Sequence, residues 1–144
     1  MTGYSKVFLD TAPLIYFLDN DERYGQKAQS VLEEILSGGK TIVTSAITCM
    51  EYLVYPYRTS NQQKIDVFFE FMQDLDVPLL PIDAKVAGRA AQIRAEYRDF
   101  KAMDSLQLAA AVCAGCDTFL TNDKQLRQFR EINCVTVEEW IISQ

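Results

Sequence analysis

Short apolar, β-prone runs alternate along the chain with stretches of helical periodicity. Val7-Phe8-Leu9 reads as a buried strand ending at Asp10, and Thr41–Thr44 as a second. Between them Ala28, Val31, Leu32, Ile35 and Leu36 fall on one helical face, which Ser37-Gly38-Gly39 terminates. Ser45 can cap the next helix, whose Ile47, Met50 and Val54 are expected to form the inner stripe and which should break near Pro56. Ile65, Phe68, Phe69 and Met72 mark a further amphipathic helix. Val77–Leu80, with Pro78 and Pro81, predicts a weak third strand at a sheet edge. Val86, Ala90, Ile93 and Tyr97 stripe another helix, and Ala102–Ala114 is apolar almost all round, as a buried helix should be. Thr118-Phe119-Leu120 and Cys134–Val137 supply a fourth and a fifth strand. This alternation predicts an α/β fold with a parallel sheet between helical layers, and in such sheets ligands sit beyond the carboxyl ends of the strands.

Composition narrows the chemistry. The chain has 144 residues, read as one domain over 1–144, with 14 Lys+Arg against 20 Asp+Glu, a net charge of −6 and no histidine. Absence of His excludes a Ser-His-Asp triad, a Cys-His dyad, a His-ligated zinc and imidazole acid–base catalysis. Cys113-Ala-Gly-Cys116 has redox spacing, but Cys49 and Cys134 stand apart from it, so all four are expected to be core thiols. Met1–Lys6 carries one Lys and Val7–Leu9 is too short for an export signal or a membrane span, which predicts a soluble cytoplasmic protein.

What stands out is where the acids fall. Asp10 follows the first strand, Glu51 lies on the helix after the second, Asp104 opens the buried helix, and Asp123 ends Leu120-Thr121-Asn122-Asp123. Asp10 and Asp123 each have an alternative role as helix caps or in Asx turns, and Thr48-x-x-Glu51 as a capping box. Asp104 resists such a reading, because Leu108 and Ala111 share its face and Lys101 is the only base nearby in sequence. A carboxylate removed from water costs several kcal/mol unless it is compensated. Like charges gathered at one pole of a sheet raise one another's pKa, and a hard divalent cation relieves that repulsion. Oxygen-only ligands select Mg²⁺ or Mn²⁺.

Phe8-Leu9-Asp10-Thr11, Thr48-x-x-Glu51, Met103-Asp104-Ser105-Leu106-Gln107-Leu108-Ala109-Ala110-Ala111 and Phe119-Leu120-Thr121-Asn122-Asp123 resemble, in order and spacing, the PIN-domain nucleases. The stand-alone VapC-type toxins of toxin–antitoxin pairs are the nearest likeness, over Val7 to Val137. The resemblance implies a five-stranded, mostly parallel sheet in an α/β/α sandwich and an Mg²⁺- or Mn²⁺-dependent ribonuclease. It maps the family's acidic quartet onto Asp10, Glu51, Asp104 and Asp123. Asp10 and Asp104 are assigned as direct metal ligands. Glu51 is assigned to a second ion or to the attacking water, and Asp123 to direct or water-mediated ligation. Thr11 and Thr121 are expected to orient carboxylates or a bound water, while Ala12 departs from the small polar residue common in relatives.

The resemblance further implies an RNA substrate, an antitoxin partner and a homodimer. Arg94, Arg98 and Lys101, in the densest basic stretch together with Arg89, are candidates for contact with the RNA backbone. Tyr52, Leu53 and Tyr55 are candidates for the partner surface. Two alternatives belong to other classes. One is a catalytically silent PIN-like module that binds RNA or protein. The other is a receiver-like phosphoacceptor with Asp83 as its acceptor, disfavoured because Val135–Val137 leads into Glu138-Glu139 rather than to a Lys.

Overall fold

The computed structural model describes residues 5–142. Met1–Tyr4, part of the segment read above for an export signal, lies outside them. The elements run β1 (Lys6–Leu9), α1 (Thr11–Leu18), α2 (Gly25–Ser37), β2 (Thr41–Ser45), α3 (Ala46–Arg58), α4 (Gln62–Asp74) and β3 (Leu79–Leu80). They continue as α5 (Ala84–Glu96), α6 (Ala102–Cys113), β4 (Thr118–Thr121), a 3₁₀ turn (Lys124–Gln128), β5 (Asn133–Thr136) and α7 (Val137–Ile142).

The five strands order as β3-β2-β1-β4-β5, and every pairing is parallel. Parallel strands need helical crossovers, which cover both faces of the sheet and explain why the strands read as unbroken apolar runs. Side chains alternate along β1: Val7 and Leu9 enter a core with α1, α2, α3, α4 and α7, whereas Phe8 enters one with α5, α6 and the 3₁₀ turn. The result is the expected α/β/α sandwich.

Connectivity matters more than the layers. From β1 the chain steps outward through β2 to β3, then returns to build β4 and β5 on the other side. The order therefore reverses between β1 and β4, and in open parallel sheets the crevice outside the carboxyl ends of the strands at such a reversal is where ligands bind. Asp10 stands at the end of β1 and Thr121 at the end of β4.

Three expectations change. The inner face of α3 is Ile47, Thr48, Tyr52, Leu53 and Pro56, while Met50 and Val54 are exposed. Apolar residues occupy more than one face of this helix, so periodicity alone did not choose the buried one. Pro56 does not end α3, which runs on to Arg58; near the last turn the missing N–H forfeits a single bond. β3 shrinks to Leu79–Leu80 at the predicted edge, joined by the Thr44 N–H donating to the Pro78 carbonyl at 3.3 Å. Pro78 and Pro81 have no N–H with which to lengthen it.

Phe8 and Phe119 face each other across β1 and β4, with ring centroids 5.0 Å apart and planes 3° from parallel. Both are fully buried. Phe119→Ala should therefore lower the unfolding free energy by about 3–5 kcal/mol, read as a lower midpoint in urea denaturation at an unchanged slope.

Candidate active site at the carboxyl edge of the sheet

Asp10 is fastened at the strand reversal. Its N–H donates to the Leu120 carbonyl at 2.9 Å, continuing the β1–β4 ladder by one bond. Beside it the Thr44 hydroxyl donates to the Leu9 carbonyl at 2.6 Å. The Asp10 carboxylate accepts from the Thr11 N–H (2.9 Å), the Thr121 hydroxyl (2.8 Å) and the Gln107 side-chain amide (3.3 Å). Even with three donors, burial pushes its pKa up to about 6; the Asp104 charge adds to the rise and the hydrogen bonds oppose it.

Thr121 serves two acids, since its oxygen also accepts from the Asp123 N–H at 3.1 Å. Asp123 in turn caps the 3₁₀ turn through Gln125 N–H at 2.9 Å. Capping is thus one role of Asp10 and of Asp123, as the simpler reading of each held. The capping box at Thr48 and Glu51 is not formed: α3 begins earlier, capped by Ser45 through Ile47 N–H. Glu51 instead accepts a 2.6 Å bond from the Thr11 hydroxyl, the orienting role expected of Thr11.

Asp104 differs from the rest. Half-buried in the first turn of α6, it accepts no hydrogen bond from any described residue. Burial raises its pKa, Asp123 and Glu51 raise it further, and Lys101 lowers it. Asp104 couples to Asp10 on one side and to Asp123 and Glu51 on the other, so the four acids share one field at the crevice. None of the four takes part in the ion pairs among the described residues. They form no closed cage as they stand, because no three acidic or thiol side chains converge on one point among those residues. In donor chemistry the quartet fits a hard divalent cation: all the donors are oxygen, and the half-buried Asp104 lacks a donor of its own.

The PIN domain family matches residues 7–132. The chain belongs to the PIN-domain family. No curated protein sequence matches the chain. Among solved structures, this PIN domain resembles DNA-bound VapBC from Salmonella typhimurium at 24% identity and a TM-score of 0.70, covering 92% of this chain and 98% of that one. It resembles VapBC2 from Rickettsia felis, bound to a promoter DNA fragment, at 18% identity and 0.71, covering 91% and 98%. VapC20 from Mycobacterium tuberculosis, a toxin that cleaves the Sarcin-Ricin loop, follows at 14% and 0.67, covering 88% and 97%. At such identities the likeness establishes shared architecture.

The other expected residues divide. Lys101 is exposed, precedes α6 and exerts its charge on Asp104. Arg98 is exposed on the turn before it. Arg94 is drawn to the Phe100 carbonyl at 3.4 Å, closing the loop after α5, and Arg89 pairs with Glu131. Two partner-surface expectations are overturned. Tyr52 is 4% exposed, stacked on Phe68 and bonded through its hydroxyl to Asp19 at 2.9 Å. Leu53 is 7% exposed and belongs to the core shared with α1, α2, α4 and α7. Adjacent aromatic letters suggested a patch, but successive positions on a helix point about 100° apart, which sends this pair inward. Tyr55 remains, 65% exposed beside exposed Met50, Val54 and Tyr57. The four cysteines are free, Cys116 and Cys134 buried as expected; burial pushes the Cys134 thiol up to about 12, with the Asp10 charge adding to it.

Sequence reading missed Gln107. Buried inside α6, it bonds to Ser45, Thr48 and Asp10. A signal existed: it is the sole amide in the otherwise apolar run Leu106–Val112.

A carboxyl whose pKa is raised on folding destabilises the protein once it is charged, and that cost disappears as pH falls through the folded pKa. Asp104→Asn removes such a charge without breaking a hydrogen bond. In metal-free buffer near about pH 7.5 it should raise Tm by about 2–4 °C, with the gain vanishing by about pH 4. A melting series of both proteins across pH checks it; a large loss of Tm would show a structural ion pair instead.

Proposed function

We propose that this chain is an Mg²⁺- or Mn²⁺-dependent endoribonuclease that hydrolyses RNA phosphodiester bonds, acting as the toxin of a type II toxin–antitoxin module. The observation that carries the reading is Asp104: a half-buried acid in the first turn of α6, raised in pKa by burial and further by Asp123 and Glu51, and given no hydrogen-bond donor among the described residues. An acid left so costly is explained by an incoming cation.

In this reading Asp10 and Asp104 hold the ion directly. Glu51 holds a second ion or orients the attacking water, and Asp123 ligates from the rim. A bound Mg²⁺ or Mn²⁺ lowers the pKa of its water and offsets charge developing on the phosphate. The hydroxyls of Thr11 and Thr121 keep the Glu51 and Asp10 carboxylates facing the crevice through their 2.6 and 2.8 Å bonds. Lys101 and Arg98 lie against the RNA backbone and counter the repulsion expected from a chain of net charge −6. The cytoplasm is the proposed compartment; no helix of the described residues is long and apolar enough to cross a membrane. An antitoxin partner is supported by likeness to VapBC and to FitAB complexes. A second copy of this chain is proposed to cover the apolar face around Tyr55 and Met50.

A second reading, a PIN-like module that binds RNA or protein without cutting, draws on the open arrangement of the four carboxylates. Cleavage assays separate the two. RNA should be cut with Mg²⁺ or Mn²⁺, left intact with EDTA, and cut about 100-fold or more slowly by Asp104→Asn. Cleavage surviving both chelation and the substitution would end the metal-dependent reading. Growth arrest on expression should be relieved by the product of the adjacent gene.

A further inference from the structure

One buried network reaches both Asp10 and Glu51. Ser45, Thr48, Gln107 and Thr11 are all buried, and no buried side-chain polar atom among the described residues lacks a partner. The hydrogens in this network have a forced direction. The Ile47 N–H donates to the Ser45 oxygen, and the Ser45 hydroxyl donates to Oε1 of Gln107, an oxygen that can only accept. Nε2 of Gln107 then donates to Thr48 Oγ1 at 2.8 Å and to Asp10 Oδ1 at 3.3 Å. Thr11 has one hydroxyl proton and places it on Glu51 at 2.6 Å, the shorter and charge-assisted contact. Thr48 Oγ1 and Thr11 Oγ1 stand 3.4 Å apart; with the single Thr11 proton given to Glu51, the Thr48 hydroxyl is the one left to donate between them. From the Ser45 hydroxyl onward, the donors in the series thus lead toward a carboxylate.

We propose that Gln107 is the positioning residue of this site: anchored by Ser45, its amide directs one donor branch onto Asp10 and the other, through Thr48 and Thr11, onto Glu51. Rotating the amide by half a turn would set its oxygen against the Asp10 carboxylate and its NH₂ against Ser45. The Ser45 bond prevents that flip. Gln107 touches neither substrate nor ion; it acts by holding two carboxylates as separate, outward-facing acceptors on either side of Thr48. The length of the side chain is also required, because one residue spans from α6 to the start of α3 and to the end of β1.

The proposal rests on the metal-dependent reading above, and the test keeps the two apart. Mn²⁺ is titrated calorimetrically into the full chain and into three variants. Gln107→Met, which keeps volume but removes donor and acceptor, should melt cooperatively and bind Mn²⁺ about tenfold or more weakly. Gln107→Asn keeps an amide one methylene too short for the span and should lose less affinity; it carries the test if Gln107→Met fails to fold. Ile35→Val, a core change in α2, should melt lower yet bind as the unmodified chain does. Folded Gln107 variants that bind Mn²⁺ normally, or an equal loss in Ile35→Val, would overturn the positioning role. An unmodified chain that binds no Mn²⁺ would overturn the metal-dependent reading and this role with it.

Discussion

The site depends on the seam between β1 and β4. There the strand order reverses, and the Asp10 N–H continues the ladder onto Leu120 while its carboxylate takes the Thr121 hydroxyl from the end of the neighbouring strand. Those two bonds tie Asp10, at the end of one strand, to the end of the other. Thr121 extends the effect by accepting from Asp123 N–H, so one side chain registers two acids against each other. The buried stack of Phe8 on Phe119 lies two residues back from Asp10 and Thr121 along the two strands and packs the seam beneath them.

Electrostatics work against this arrangement. Three donors on Asp10 do not prevent burial from lifting its pKa to about 6, and Asp104 has no donor among the described residues. The folded chain therefore carries a local cost that its well-packed cores offset elsewhere. Such strain belongs at functional sites more often than at structural ones. The two kinds of acid divide the labour. Asp10 and Glu51 accept from buried donors, whereas Asp104 and Asp123 take no bond from the Gln107 network among the described residues.

Legibility in the sequence follows the same division. Strands β1, β2, β4 and β5 were readable because a parallel strand buried on both faces is an uninterrupted apolar run, and the acids were readable because Asp10 and Asp123 come just after strands, Asp104 opens a helix and Glu51 lies on the helix that follows β2. The orientation of α3 was not readable. Ile47, Met50, Leu53 and Val54 offer two apolar faces, and only packing against α1 and α4 selects the one bearing Tyr52 and Leu53. Tyr52 was hidden for a related reason: its ring is buried on Phe68, but its hydroxyl needs Asp19, which is distant in sequence. Gln107 stood out as a lone amide in an apolar run, but its role was not legible, since its partners come from β2, α3 and the end of β1 and no local pattern assembles them.

A buried amide could be expected to weaken α6, yet its position explains why one sits there. Asp10 as a carboxylate can only accept, and the crevice floor offers Thr48 and Ser45 as neighbours, each with a proton to place. An apolar residue at 107 would leave the Ser45 proton and the Thr48 oxygen short of the Gln107 partner, a cost of about 1–3 kcal/mol for each buried group, and would leave Asp10 Oδ1 with the Thr11 N–H alone. A lysine would answer Asp10 but quench the charge the site displays, and a glutamate would add to the repulsion. Glutamine satisfies three neighbours while leaving the net charge of the crevice untouched. A polar residue inside an apolar helix is thus the feature that lets the floor of this site be both buried and negative.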